Sequence, residues 1–87
     1  MSDETLFEFP CEFPIKAMGE AGGGFEALVL GIVQKHAPDL GAGAVRTRPS
    51  SNGRYLSVTV TIQARDKQQL DAIYAELSAH RDVLMAL

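Results

Sequence analysis

Three arginines carry most of the recognition chemistry this sequence offers. Arg46, Arg48 and Arg54 fall close together, beside Ser50 and Ser51 and next to Tyr55. A guanidinium presents a planar fork of donors that grips a carboxylate or a phosphate through two hydrogen bonds, and neighbouring hydroxyls can add to the grip. The same residues have a plainer use, since charge on an edge strand discourages sheet-to-sheet aggregation. Both readings stand at the level of sequence. A second candidate is the glycine-rich stretch Gly19, Gly22, Gly23 and Gly24, which leads into an apolar helical run. Backbone N–H groups at a helix N-terminus can hold an anion. The alternative is a flexible connection, because no G-x-G-x-x-G fingerprint and no P-loop lysine accompanies these glycines.

The remaining reactive residue types point away from catalysis. Cys11 is the single cysteine and has no C-x-x-C partner. A nucleophile needs an activating base and a group that orients it, and neither is in evidence, so Cys11 reads as a half-buried thiol. His36 and His80 each close a helical pattern and lie far apart in sequence, without a cluster of Cys or Asp. Capping of helix C-termini fits them better than metal binding. Glu8 and Glu12 have the composition of a carboxylate pair but sit near a chain end, where solvated charge is the simpler role. The expectation is a non-enzymatic protein with no catalytic residue, no metal site and no cofactor.

Eighty-seven residues must position these groups. A chain of that length makes one domain with a thin core, and it has no room for a dinucleotide-binding sheet or a barrel. Hydrophobic residues make up 46% and charged residues 22%, the proportions of an ordinary globular domain. Eleven acids against eight lysines and arginines give a net charge of −3, which argues against nucleic acid as the partner. One thiol cannot form an internal disulfide, so a reducing cytoplasm is the expected compartment. The apolar run Ala27–Val33 is far shorter than the ~20 residues a membrane helix needs.

The pattern predicts six elements. Residues 1–8, with Asp3, Glu4 and Glu8, read as a flexible acidic tail ahead of a domain over 9–87. Alternation from Phe13 through Ala17 predicts a first strand that starts after Pro14 and ends at Gly19. Phe25, Leu28, Val29, Ile32, Val33 and His36 recur at helical spacing, and Pro38 stops that helix. A glycine-rich connection, Asp39–Gly43, leads to a second strand over Val45–Pro49. Asn52-Gly53 is a strong hairpin signal, and Tyr55–Ala64 alternates over its whole length as a third strand. Asp66 caps a second helix whose stripe is Leu70, Ile73, Tyr74 and Leu77, with His80 and Arg81 in its last turn. Val83–Leu87 reads as a fourth strand.

The order β-α-β-β-α-β defines an α+β, ferredoxin-like sandwich. Right-handed crossovers place both helices on one face of a four-stranded antiparallel sheet, with strand order 4-1-3-2. Taking Asn52 and Gly53 as the two loop residues pairs Ser51 with Arg54 and Ser50 with Tyr55. Arg48 then faces Ser57 and Arg46 faces Thr59, while Val45 and Thr47 turn toward the helices. The open face should display Arg46, Arg48, Tyr55, Ser57, Thr59, Thr61 and Gln63, with Lys16 and Met18 from the first strand. Between Leu40 and Arg65 the chain carries four arginines and no acid, so an acidic protein has one locally basic surface.

Three segments resemble the YbeD-like family of small, uncharacterised bacterial proteins: Phe-Pro-Cys-Glu-Phe-Pro-Ile-Lys-Ala-Met-Gly (9–19), Gln-Lys-His-Ala-Pro (34–38) and Pro-Ser-Ser-Asn-Gly-Arg-Tyr-Leu-Ser-Val-Thr-Val-Thr-Ile (49–62). The resemblance runs from about Phe9 to Leu87 and is most specific over Pro49–Ile62. It implies a ferredoxin-like fold similar to ACT regulatory domains, which bind small ligands, often amino acids, and control metabolic enzymes. It also implies a link to lipoate metabolism, suggested for the family from gene neighbourhood. It brings no established catalytic residues. By the same resemblance, Gly19–Gly24 lies where ACT-type domains commonly contact their ligand. The expectation is a regulatory or adaptor domain that binds a small metabolite or a partner protein and is able to form a homodimer. The alternatives are a pure protein-interaction module, a small oligomeric enzyme, and an RNA binder. The last suffers from having one aromatic, Tyr55, where base stacking calls for two or three.

Overall fold

A computed structural model of the chain describes residues 8–41 and 43–87. The tail expected over 1–8 therefore lies outside the described residues except for Glu8, as does Ala42 in the glycine-rich connection. The elements follow in the order β1 (Cys11–Glu20), α1 (Phe25–His36), β2 (Val45–Pro49), β3 (Tyr55–Ala64), α2 (Lys67–Ala79) and β4 (Met85–Ala86). The sheet runs β2-β3-β1-β4 and every pairing is antiparallel. This is the ferredoxin-like α+β arrangement expected from the sequence.

Period-two alternation along the two central strands builds the core. Ile15 and Ala17 of β1 meet Val58, Val60, Ile62 and Ala64 of β3, all at 0–2% exposure. Helix α1 covers them with Phe25, Val29, Ile32 and Val33, and α2 with Leu70, Ile73 and Leu77. Asp66 caps α2 by accepting a hydrogen bond from the Gln69 N–H at 2.8 Å. Gln69 is buried and bonded at both amide atoms: its amide oxygen accepts from the Arg65 N–H at 2.7 Å, and its amide nitrogen donates to the His36 carbonyl at 2.8 Å. One polar side chain thus ties the start of α2 to the end of α1 at no cost in unpaired groups. Gly19 is the last buried residue of β1, where the strand passes close to Phe25 of α1 and to the α2–β4 connection. A Cβ there would stand 2.4 Å from the Phe25 ring and 2.6 Å from the Asp82 carbonyl oxygen, so only glycine fits.

The structure departs from the sequence reading in several places. β1 starts at Cys11, ahead of Pro14. Lys16 bonds to Leu87 in both directions, at 3.1 and 2.7 Å, so even-numbered residues of β1 direct their N–H groups toward β4. β4 reaches only Ala17 and Met18 in the ladder, and the donor that Pro14 lacks would have met no strand. Proline is therefore tolerated in a strand that is central for only part of its length. In the hairpin, Ser50 accepts from the Gly53 N–H at 2.9 Å, and glycines alone have positive φ. Asn52 is thus not in the left-handed region that a type I′ turn demands. Instead its side-chain oxygen accepts from the Arg54 N–H at 2.9 Å and the Ser50 hydroxyl at 2.8 Å. The register survives this change of turn: Arg48 pairs with Ser57, Arg46 with Thr59, Thr47 with Val58 and Val45 with Val60.

Helix α2 ends at Ala79, leaving His80 as its C-cap and no basic residue in its last turn. The fourth strand shrinks from five residues to Met85–Ala86. Thr47, although on the helix side of the sheet, is exposed, because the helices lie over β1 and β3 and leave β2 overhanging.

Candidate functional site

The open face of the sheet can be assembled row by row from the pairing register. In one row Arg46 of β2, Thr59 of β3 and Lys16 of β1 stand side by side. In the next, Arg48, Ser57, Met18 and Met85 run across all four strands. Residues two apart on a strand are about 7 Å apart, and adjacent strands about 5 Å. Arg46 and Arg48 are therefore near neighbours, with Lys16 about 10 Å from Arg46 across the sheet. Each of the three cations is exposed, and among the described residues no carboxylate pairs with any of them. Ser57, Thr59 and Thr61 are half-buried between the cationic strands. The acids of this face, Glu12 and Glu20, stand at the two ends of β1, opposite Gln63 and Tyr55. A positive centre flanked by hydroxyls and bounded by acids is an arrangement for anions of limited extent.

The hairpin residues divide into two groups. Ser50 is committed to the turn: its hydroxyl donates to Asn52 and accepts from the Tyr55 N–H at 3.0 Å. Ser51 and Arg54 are exposed at the tip, beyond the Arg46–Arg48 pair. Tyr55 shares the last row of the open face with Glu20. The five residues Arg46, Arg48, Ser50, Arg54 and Tyr55 thus belong to one hairpin, but only Arg46 and Arg48 share the flat part of the face.

The glycine loop is a separate place. Gly22, Gly23 and Gly24 all lie in the left-handed region, at φ of 88°, 66° and 81°. Gly24 caps α1 without any side-chain hydrogen bond. The Ala21 N–H donates to the Arg54 carbonyl at 2.9 Å, so this loop abuts the hairpin base. A shallow cleft of about 840 Å³ opens here between the loop, the first turn of α1 and the α2–β4 connection, lined in part by Glu20, His80, Arg81, Asp82 and Leu84. Its charges are mixed, with Glu20 and Asp82 close to Arg81. Gly19 belongs to neither site, since close packing with Phe25 and Asp82 accounts for it.

One functional-looking cluster was invisible to pattern reading. His36 does not merely end α1: its Nε2 lies 2.9 Å from Glu76 Oε1 on α2, and Lys35 bonds the other oxygen of the same carboxylate. The hydrogen bond from Lys35, joined by that from His36, holds the Glu76 carboxyl below the usual glutamate range. Forty residues separate these groups in sequence, so only the packing of α1 on α2 reveals them. On the other side of the sheet's helical layer, the Tyr74 hydroxyl donates to the Leu87 carbonyl at 2.6 Å and its ring meets Phe13 edge-on at 6.5 Å. Burial raises the Tyr74 pKa. Cys11 is half-buried at the start of β1. Among the described residues no three His, Cys, Asp or Glu side chains gather as metal ligands, and no helix is long and apolar enough to cross a membrane.

Comparison with known proteins places the chain in a family. Residues 4–87 match the family model described as a protein of unknown function, DUF493. The chain is similar over its full length to a UPF0250 protein of Nitrosomonas europaea, at 48% identity with the whole of both chains aligned. It is 49% identical to a UPF0250 protein of Chromobacterium violaceum, again over the whole of both. A UPF0250 protein of Azotobacter vinelandii shares 52% identity over 92% of this chain and 88% of the relative. The chain belongs to the DUF493 family.

Proposed function

We infer that this DUF493 protein is a non-enzymatic regulatory or adaptor domain that engages an anionic partner through the open face of its sheet. The observation that carries the reading is the cluster of Lys16, Arg46 and Arg48: three exposed cations on one face, without an ion-pair partner among the described residues, on a chain of net charge −3. Long cations used only for solubility are ordinarily interspersed with acids. Here the two acids of the face are held at the ends of β1. Arginine pairs suit carboxylates and phosphates equally, so the partner class comprises carboxylate or phosphate metabolites and acidic protein segments. The resemblance to ACT-like regulators supports a non-enzymatic role and adds lipoyl compounds and amino acids to the ligands worth trying. The cleft beside Gly22–Gly24 is the weaker candidate, because Glu20 and Asp82 offset its cations.

The test is a thermal-shift screen of the intact chain against amino acids, lipoyl compounds, phosphate and glutamate-rich peptides. At least one class should raise Tm at low salt, and the double variant Arg46→Ala/Arg48→Ala should lose that shift. An undiminished shift in the double variant overturns the assignment of the face.

A further inference from the structure

The edge of β2 says what shape such a partner must have. Ser50 donates to the Tyr55 carbonyl at 2.8 Å, and the Thr61 N–H donates to the Ala44 carbonyl at 2.9 Å. Even-numbered residues of this segment therefore point their backbone groups at β3, and odd-numbered residues point theirs outward. The outward set consists of Val45, Thr47 and Pro49. Among the described residues the outward N–H and C=O of Val45 and Thr47 meet no partner, and Pro49, with no N–H, ends the row. The helices do not cover this strand, and Thr47 is exposed even on the helix side. Arg46 and Arg48 alternate with the outward residues and project on the open face.

We propose that an extended acidic segment of a partner protein adds to the sheet antiparallel to β2, with carboxylates at alternate positions set beside Arg46 and Arg48. This rests on the reading of the basic face given above and names its partner. Backbone pairing to an exposed edge supplies affinity, and alternate side chains supply specificity. The geometry fits, because the i, i+2 spacing of the two arginines is about the 7 Å repeat of any added strand. A second copy of this chain does not fit. Antiparallel pairing of two β2 edges centred on Thr47 sets Arg46 against the partner copy's Arg48, and a shift to the next register sets Arg46 against itself. Like charges directly opposite are destabilising. The same arginines and proline that guard the edge against self-pairing thus select an acidic strand.

Fluorescence anisotropy with labelled seven-residue peptides tests this. One alternates threonine and glutamate, and an isomer has its glutamates contiguous. Two further versions of the alternating peptide carry backbone N-methyl groups either on the threonines, whose amides face β2, or on the glutamates, whose amides face away. The alternating peptide should bind best. Methylation of the threonine amides should weaken binding by about tenfold or more, as befits two lost hydrogen bonds, while methylation of the glutamate amides should be tolerated. Hydrogen exchange at the Val45 and Thr47 amides should slow on binding. Arg46→Glu/Arg48→Glu should abolish it. If both isomers bind alike, both methylations are harmless and only salt or charge reversal matters, the edge proposal falls and the basic face stands. If no peptide binds even at low salt, the edge proposal falls, and the basic face is judged by the small anions of the thermal-shift screen alone.

Discussion

The two faces of β3 show how one strand divides structural from recognition duties. Val58, Val60, Ile62 and Ala64 point into the helical layer and are sealed at 0–2% exposure. Their neighbours Ser57, Thr59 and Thr61 point the other way, onto the face that carries Arg46, Arg48 and Lys16, where Thr59 stands between Arg46 and Lys16. On the covered face each side chain is held by packing on all sides, and its identity is dictated by volume. On the open face nothing in the fold demands arginine at 46 and 48. Removing them should leave the protein standing and take away what it holds. The difference teaches where to look for function in a domain this small: on the surface the core can do without.

The first way to break the comparison is to cut the covered face. Ile73→Ala, at a site with no exposure, should cost about 2–5 kcal/mol by urea denaturation. A loss under about 1 kcal/mol would mean that the two faces are not so unequal. Gly19→Ala should cost about 1–3 kcal/mol through overpacking against Phe25 and the Asp82 backbone. Gly31→Ala should act in the opposite direction. Gly31 lies mid-helix with open space where a Cβ would go, so the substitution should raise stability by about 1 kcal/mol. The open-face variant Arg46→Ala/Arg48→Ala should shift stability by no more than about 0.5 kcal/mol.

The smallest effect belongs to the helix-to-helix clamp and is a matter of pH. Hydrogen bonds from Lys35 and His36 depress the Glu76 pKa in the folded chain. A depressed carboxyl binds its proton more readily when unfolded, so its contribution is present above the ordinary glutamate pKa and fades as pH falls through the folded value. Wild type should therefore exceed Glu76→Gln in stability near neutrality. The gap should close below the ordinary glutamate range, as read from urea midpoints across a pH series.

Much of the covered face was legible from the sequence because it obeys a period. Strand order, both helices and the β2–β3 register all follow from where apolar residues recur and where the hairpin turns. The register held even though the Asn52-Gly53 turn adopts different dihedrals, since Ser50 and Tyr55 remain the closing pair either way. What escaped depends on long-range neighbours. Pro14 reads as a strand breaker until β4 proves too short to need its N–H. His36 reads as a cap until α2 brings Glu76 to it. Thr47 reads as inward until the helices fail to reach β2. Of the site, the placement of Arg46 and Arg48 on one face was derivable from register. The separation of the glycine loop from them, and the commitment of Ser50 to its own turn, was not.

The most direct measurement is an amide chemical-shift titration of the intact chain with the alternating glutamate peptide. The account predicts that the moving resonances cluster at Arg46, Thr47, Arg48, Ser57 and Thr59, with Gly22–Gly24, Phe25 and Arg81 unmoved. Shifts confined to the glycine loop and the start of α1 would contradict it and transfer the binding site to the cleft.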